Sequence, residues 1–168
     1  MKRVILAAVL LGGFAGPALS APAPLLQRWD TAGVRTGLAA AGATDIRVAD
    51  ADGLPMITAR TRDGLTVAAY AKACDVSTAK TPASCHGLET IVSFDPGAAV
   101  DRGAIAARLN QTYASGKFIV EPDGTIRLSR YLDFDGGMTA DNLRAELAEY
   151  FTLAGVTARV LWQAAGAR

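Results

Sequence analysis

Phe118-Ile119-Val120-Glu121-Pro122-Asp123-Gly124-Thr125-Ile126-Arg127-Leu128 is the stretch on which the fold turns. Phe118 to Glu121 and Ile126 to Leu128 are short runs of β-forming residues, and Pro122-Asp123-Gly124 separates them. Proline at the second position of a turn and glycine at the fourth suit type I geometry, so the stretch predicts an antiparallel hairpin. The same punctuation recurs upstream. Ile46 and Val48 alternate with polar neighbours, Asp50-Ala51-Asp52-Gly53 turns the chain, and Met56-Ile57-Thr58-Ala59 runs back. Arg62-Asp63-Gly64 turns it again into Leu65 to Tyr70, and Leu88 to Phe94 adds a fourth strand. Short strands joined by Asp-Gly turns predict an antiparallel meander.

Around these strands the period changes from two to about 3.6. From Trp29 onward, Val34, Leu38 and Ala41 recur at helical steps, with Gly42 as a C-terminal stop and Gly33 and Gly37 as weak points inside. Asp101 is a good N-cap for a second helix carrying Ile105, Leu109 and Tyr113 on one side. Thr139 caps a third, Asp141 complements its dipole, and Met138 and Leu143 have the spacing of a hydrophobic staple. Leu143, Leu147, Tyr150 and Phe151 form its buried stripe, with Glu146 and Glu149 towards water. The tail through Val160, Leu161 and Trp162 either continues this helix past Gly155 or packs as an added turn. The fold class is α+β: an antiparallel meander flanked by about three helices.

Lys2 and Arg3, an apolar run from Val4 to Ala15, a Gly16-Pro17 break and the small-residue pattern Ala18-Leu19-Ser20 form the three parts of a secretory signal peptide. Cleavage is expected after Ser20. The apolar run is about half of what spans a bilayer, so a stable membrane anchor is not expected. The predicted organisation is a signal peptide at 1–20, an extended leader at 21–29 holding Pro22 and Pro24, and one domain at 30–168. That length suits a single core. Removing Lys2 and Arg3 turns the formal charge from +1 to −1. A near-neutral surface with scattered basic residues gives no electrostatic case for nucleic acid. Arg127 and Arg130 come nearest to a patch and are expected on the solvent side of a strand.

Cys74 and Cys85 are the only cysteines. An export signal sends them to an oxidising compartment, where a disulfide is the default. The bridge would close a loop of about a dozen residues, worth ~3 kcal/mol by chain entropy. A redox pair is the alternative, but such pairs usually sit two residues apart at a helix start.

A catalytic constellation is harder to assemble. His86 is the only histidine and reads as a loop residue without a chemical task, since one imidazole beside oxidised cysteines cannot build a zinc site. Asp50, Asp52 and Gly53, and likewise Asp133, Asp135, Gly136 and Gly137, lack the further oxygens of a calcium loop and suit tight turns instead. Asp133 and Asp135 alternate on one strand side, so paired-carboxylate glycoside hydrolysis is the enzymatic reading that survives. No catalytic, cofactor or metal residues are assigned. Trp29, Tyr131, Phe134 and Trp162 sit near element ends or on strand faces opposite Leu128 and Leu132. They are candidate partner-contact aromatics, against the plainer reading that they pack helices onto the sheet.

The order and spacing of several strings resemble the YbjN-domain family, described as bacterial sensory transduction regulators. These are Asp50 to Ile57, the Asp63-Gly64 turn, the strands ending at Cys74 and opening at Cys85, Asn110, the Phe118 to Leu128 hairpin, and Phe134 to Leu143. The similarity runs roughly from Asp30 to Phe151. It departs at Asn110-Gln111-Thr112-Tyr113, which keeps only the first asparagine of the family's Asn-x-x-Asn. The resemblance implies a fold similar to type III secretion chaperones, used for binding rather than turnover, and it transfers no catalytic residue. The expected function is therefore a non-enzymatic, periplasmic or secreted binding, chaperone-like or regulatory protein. Its expected partner is a protein of unknown identity or a second copy in a homodimer. The alternatives are a small hydrolase or carbohydrate-active enzyme using Asp133 and Asp135, and a structural envelope protein.

Overall fold

The computed structural model describes residues 24–75, 84–97 and 100–166. The expected signal peptide, Pro22 and most of the segment between the cysteines lie outside these residues. The first helix, α1, spans Thr31–Ala40. Both carboxylate oxygens of Asp30 cap it, accepting from the amides of Ala32 and Gly33 at 3.1 and 3.0 Å. Gly42, at φ +97°, ends it in the left-handed region. Gly37, a weak point for an isolated helix, has a packing reason. A Cβ there would lie 2.8 Å from the Leu143 side chain of the third helix, so only glycine admits that approach.

The strands follow as expected from their turns. β2 (Thr44–Ala51) and β3 (Leu54–Arg60) are joined through Asp52 and Gly53, both at positive φ (55° and 80°), which is the two-residue hairpin turn Asp-Gly favours. β4 (Thr66–Cys74) and β5 (Cys85–Phe94) continue the meander. Helix α2 (Arg102–Thr112) then carries the chain to β6 (Lys117–Val120), and β7 (Ile126–Asp133) returns from it. The six-stranded antiparallel sheet has the order β2-β3-β4-β5-β7-β6. α2 thus places β6 at the edge, and the hairpin inserts β7 against β5.

Helix α3 (Ala140–Ala164) is continuous through Gly155, so the tail does not pack as a separate turn. Thr139 caps it through a bond from the Asn142 amide at 3.1 Å. The leader is more than extended chain. Leu25–Leu26 forms strand β1, which pairs antiparallel with β8 (Met138–Thr139). The Trp29 amide also donates to the Cys85 carbonyl at 2.6 Å, tying the leader to the sheet. Two-residue strands carry no periodic signal, which is why the sequence does not reveal them.

Period-two alternation divides the sheet into two unlike faces. Ile57, Val67, Ala69, Leu88, Val92, Ile126 and Leu128 point to one side and are buried with Val34 and Leu38 of α1 and Leu143, Leu147 and Tyr150 of α3. Burying each of the valine, leucine and isoleucine side chains contributes about 1.5–3 kcal/mol. Tyr150 crosses this core to donate its hydroxyl to the Leu128 carbonyl at 2.9 Å. α2 adds Ile105, Ala106 and Leu109; Tyr113, expected on the same stripe, instead terminates the helix in an extended conformation. Its ring lies 6.5 Å from that of Phe118.

The β6 edge is closed by a side chain. Asn110 of α2 donates to the Phe118 carbonyl at 2.8 Å and accepts the Phe118 amide at 2.9 Å, as a neighbouring strand would.

Candidate functional site

The second face of the sheet is where described side chains meet solvent in rows. The register sets Met56, Tyr70, Glu89 and Tyr131 side by side across β3, β4, β5 and β7. A parallel row holds Thr58, Ala68, Ile91, Ser129 and Lys117. The residues of the first row are half-buried, except Tyr131, which is 51% exposed. Tyr131 lies across Gly87, where any Cβ would collide with its ring. The backbone of β5 is therefore the seat of the tyrosine. Burial and the nearby Asp133 and Asp135 carboxylates push its phenol upward, so the hydroxyl stays neutral and able to donate. Lys72 lies 5.5 Å from the centre of the Tyr70 ring and pairs with Glu89 at 3.3 Å. An aromatic and apolar strip edged by one ion pair is chemistry suited to recognition by contact.

Arg127 belongs to this face and pairs with Glu121 at 2.6 Å, as a solvent-side arginine should. Arg130 does not. It shares the helix-facing row with Thr90, is 14% exposed, and is held by Glu146 and by Glu149, the latter at 3.2 Å. Even register, not charge, decides its side: Arg130 follows Leu128 by two. Glu146 is correspondingly half-buried rather than fully in water. The Ser115 hydroxyl and Arg130 hold the Glu149 carboxyl below the usual carboxylate range.

At one end of the sheet Cys74 and Cys85 are register partners and form a disulfide. Immediately beyond it, the Asp75 amide donates to Ser84 at 2.9 Å. His86 is not a loop residue but part of β5, at the hairpin end of the helix-side row that continues through Leu88 and Thr90. Its Nδ1 lies 2.8 Å from Asp135 Oδ1 and its Nε2 lies 3.4 Å from Asp75 Oδ2. The bond to Asp135, and after it the one to Asp75, raises the imidazole above its ordinary value. No sequence signal joins residues 49 and 11 positions apart from His86; only the strand register brings them together.

That arrangement also engages the two aspartates of the hydrolase reading. Asp133 accepts the Asp135 amide at 2.9 Å in a turn, while Asp135 binds His86. They are successive links in one network rather than two acids facing across a space. Asp50 likewise accepts the Gly53 amide at 2.8 Å, which is turn chemistry.

The four aromatics separate. Phe134 is fully buried and belongs to the core, because it shares the parity of Leu132 rather than lying opposite it. It is corrected from contact residue to packing residue. Trp29 is half-buried against the core, its indole N–H donating to Thr31 Oγ1 at 2.9 Å. Tyr131 and Trp162, 51% and 45% exposed, remain on the surface, but on opposite sides of the protein's layers: one on the sheet, one on α3. A groove of about 610 Å³ between β1, α1 and the start of α3 is lined by Leu25, Leu26, Gly33 and Ala140, with Arg28 and Arg144 at its rim. The β1–β8 pairing builds it, so the sequence gives no sign of it.

Fold and surface together define an α+β domain with helices on one side of an antiparallel sheet and a solvent-facing surface on the other. Residues 87–156 match the YbjN family, described as "Putative bacterial sensory transduction regulator". The resemblance carried by Asn110, the central hairpin and the Phe134 to Leu143 string therefore holds, and the likeness runs from β5 into α3. The strings before Gly87 fall outside the match. No curated protein matches the chain.

Proposed function

We propose that the chain is a non-enzymatic, exported binding or regulatory protein, chaperone-like in its mode of action, that presents the Tyr70–Tyr131 face of its sheet to a protein partner. The observation that carries this reading is the row Met56, Tyr70, Glu89 and Tyr131, aligned by register on the face opposite the core. Aromatic side chains seated on a rigid sheet lose little entropy on binding, which makes them efficient contacts. Export rests on the signal-peptide pattern, with Ala21 as the first residue of the secreted form. Among the described residues, no helix is long and apolar enough to cross a membrane. The family description supports a regulatory rather than a metabolic role.

The test uses the mature protein, beginning at Ala21 and oxidised, as bait in an envelope extract. Tyr131→Ala should reduce the partner retained by about tenfold, which corresponds to ~1.4 kcal/mol of binding free energy. Its thermal midpoint should stay close to that of the parent, because the ring is half in water. Equal retention by both forms would remove this face from the account.

A further inference from the structure

We propose that His86, clamped between Asp75 and Asp135, is a pH-operated clasp that fastens the end of the cysteine hairpin and the β7–β8 turn to the sheet. A neutral imidazole has one N–H, and an ionised carboxylate only accepts. Both ring nitrogens of His86 face carboxylate oxygens, at 2.8 and 3.4 Å. Only the imidazolium can donate to both at once. Deprotonation leaves one aspartate facing a lone pair, and that contact turns from attractive to repulsive.

The clasp sits where three stretches of chain converge on one residue pair. Asp75 opens the segment between the cysteines, directly after the disulfide. Asp135 lies in the turn leading to β8, on which the leader strand β1 is paired. The backbone beside the ring joins the same parts: the His86 carbonyl accepts the Phe134 amide at 2.8 Å, and the Cys85 carbonyl accepts that of Trp29 at 2.6 Å. Releasing His86 therefore loosens the hairpin end, the turn and the groove-lining ribbon together.

The charged surroundings favour the same state. From β7, Asp133 adds a carboxylate that holds the Asp135 amide, and Tyr131 stays a neutral phenol. From β4, Lys72 is committed to Glu89 on the other face of the sheet. Lys80 lies outside the described residues. The raised imidazole fixes the direction of the switch. A group whose folded value exceeds its unfolded value contributes fully below about 6.5, and that contribution is lost as pH rises through the folded value. The clasp is closed in mild acid and opens towards alkaline pH. The two aspartate side chains are each 69% exposed, so its strength should decline as salt rises.

His86 is the only histidine, so one imidazole signal reports the switch without ambiguity. In a magnetic-resonance titration of the oxidised mature protein, its midpoint should lie above about 6.5. Asp135→Asn should move it down, and Asp75→Asn should move it down by less. Each unit of elevation corresponds to about a tenfold change in the ratio of closed to open clasp across the titration. Amide exchange provides the coupling readout. After correction for intrinsic rates, protection of the Asp75, Phe134 and Gly137 amides should fall severalfold between mild acid and mild alkali. In His86→Gln that pH dependence should vanish. If His86→Gln does not fold, Asp135→Asn supplies the same comparison. A midpoint at or below the ordinary value, or equal pH dependence of exchange without the imidazole, overturns the proposal.

Discussion

Tyr150→Ala should lower the unfolding free energy by about 3–5 kcal/mol, the range for truncating a large ring in a packed core. Tyr150 has no exposed surface, and its neighbours come from the central strands β5 and β7 as well as from its own helix. The hydroxyl is part of the effect. Burial drives the phenol far above its ordinary value, so at every working pH it is a neutral donor to the Leu128 carbonyl. Tyr150→Phe isolates that bond and should cost about 1 kcal/mol, leaving the remainder to volume and area. Urea titration of both variants separates the two parts. An alanine variant within about 1 kcal/mol of the parent would mean that α3 does not close this core.

Cutting the disulfide should be the next largest effect. Cys74→Ser should destabilise the oxidised protein by ~3 kcal/mol, because the bridge removes loop entropy from the unfolded chain. The folded state also stands to lose local order. Asp75 and Ser84 are held in register just beyond the bridge, and Asp75 faces one nitrogen of His86. The same variant should therefore lower the His86 midpoint, which connects covalent and electrostatic fastening of one hairpin end. Thermal melts of Cys74→Ser and of the reduced parent should agree. An unchanged midpoint under oxidising conditions would show that the bridge contributes nothing.

The strands and helices of the main sheet were legible because each carries its own signal. Asp52-Gly53 and Pro122-Asp123-Gly124 state their turns, Asp101 and Thr139 cap the second and third helices, and Leu143 to Phe151 repeats at helical steps. The cysteine pairing followed from compartment chemistry and count. What escaped depends on register between distant segments. Parity along β7 places Tyr131 on the open face and Phe134 and Arg130 on the core side, and the sequence alone does not reveal which parity faces the helices. His86 looked idle for the same reason: its partners arrive from the end of β4 and the turn after β7. The β1–β8 ribbon, two residues on each side, is too short for any period to announce it. The role of Asn110 shows the converse. The family likeness singled it out, and the structure supplies the reason: it replaces a strand at the β6 edge.

Hydroxyl-radical footprinting of the protein with and without its captured partner tests the central claim most directly, since Tyr131 and Trp162, the two exposed aromatics among the described residues, lie on different layers. Complex formation should protect Tyr131, Tyr70 and Met56 from oxidation while Trp162 on α3 reacts as before. Protection of Trp162 with Tyr131 left fully reactive would contradict the sheet-face account.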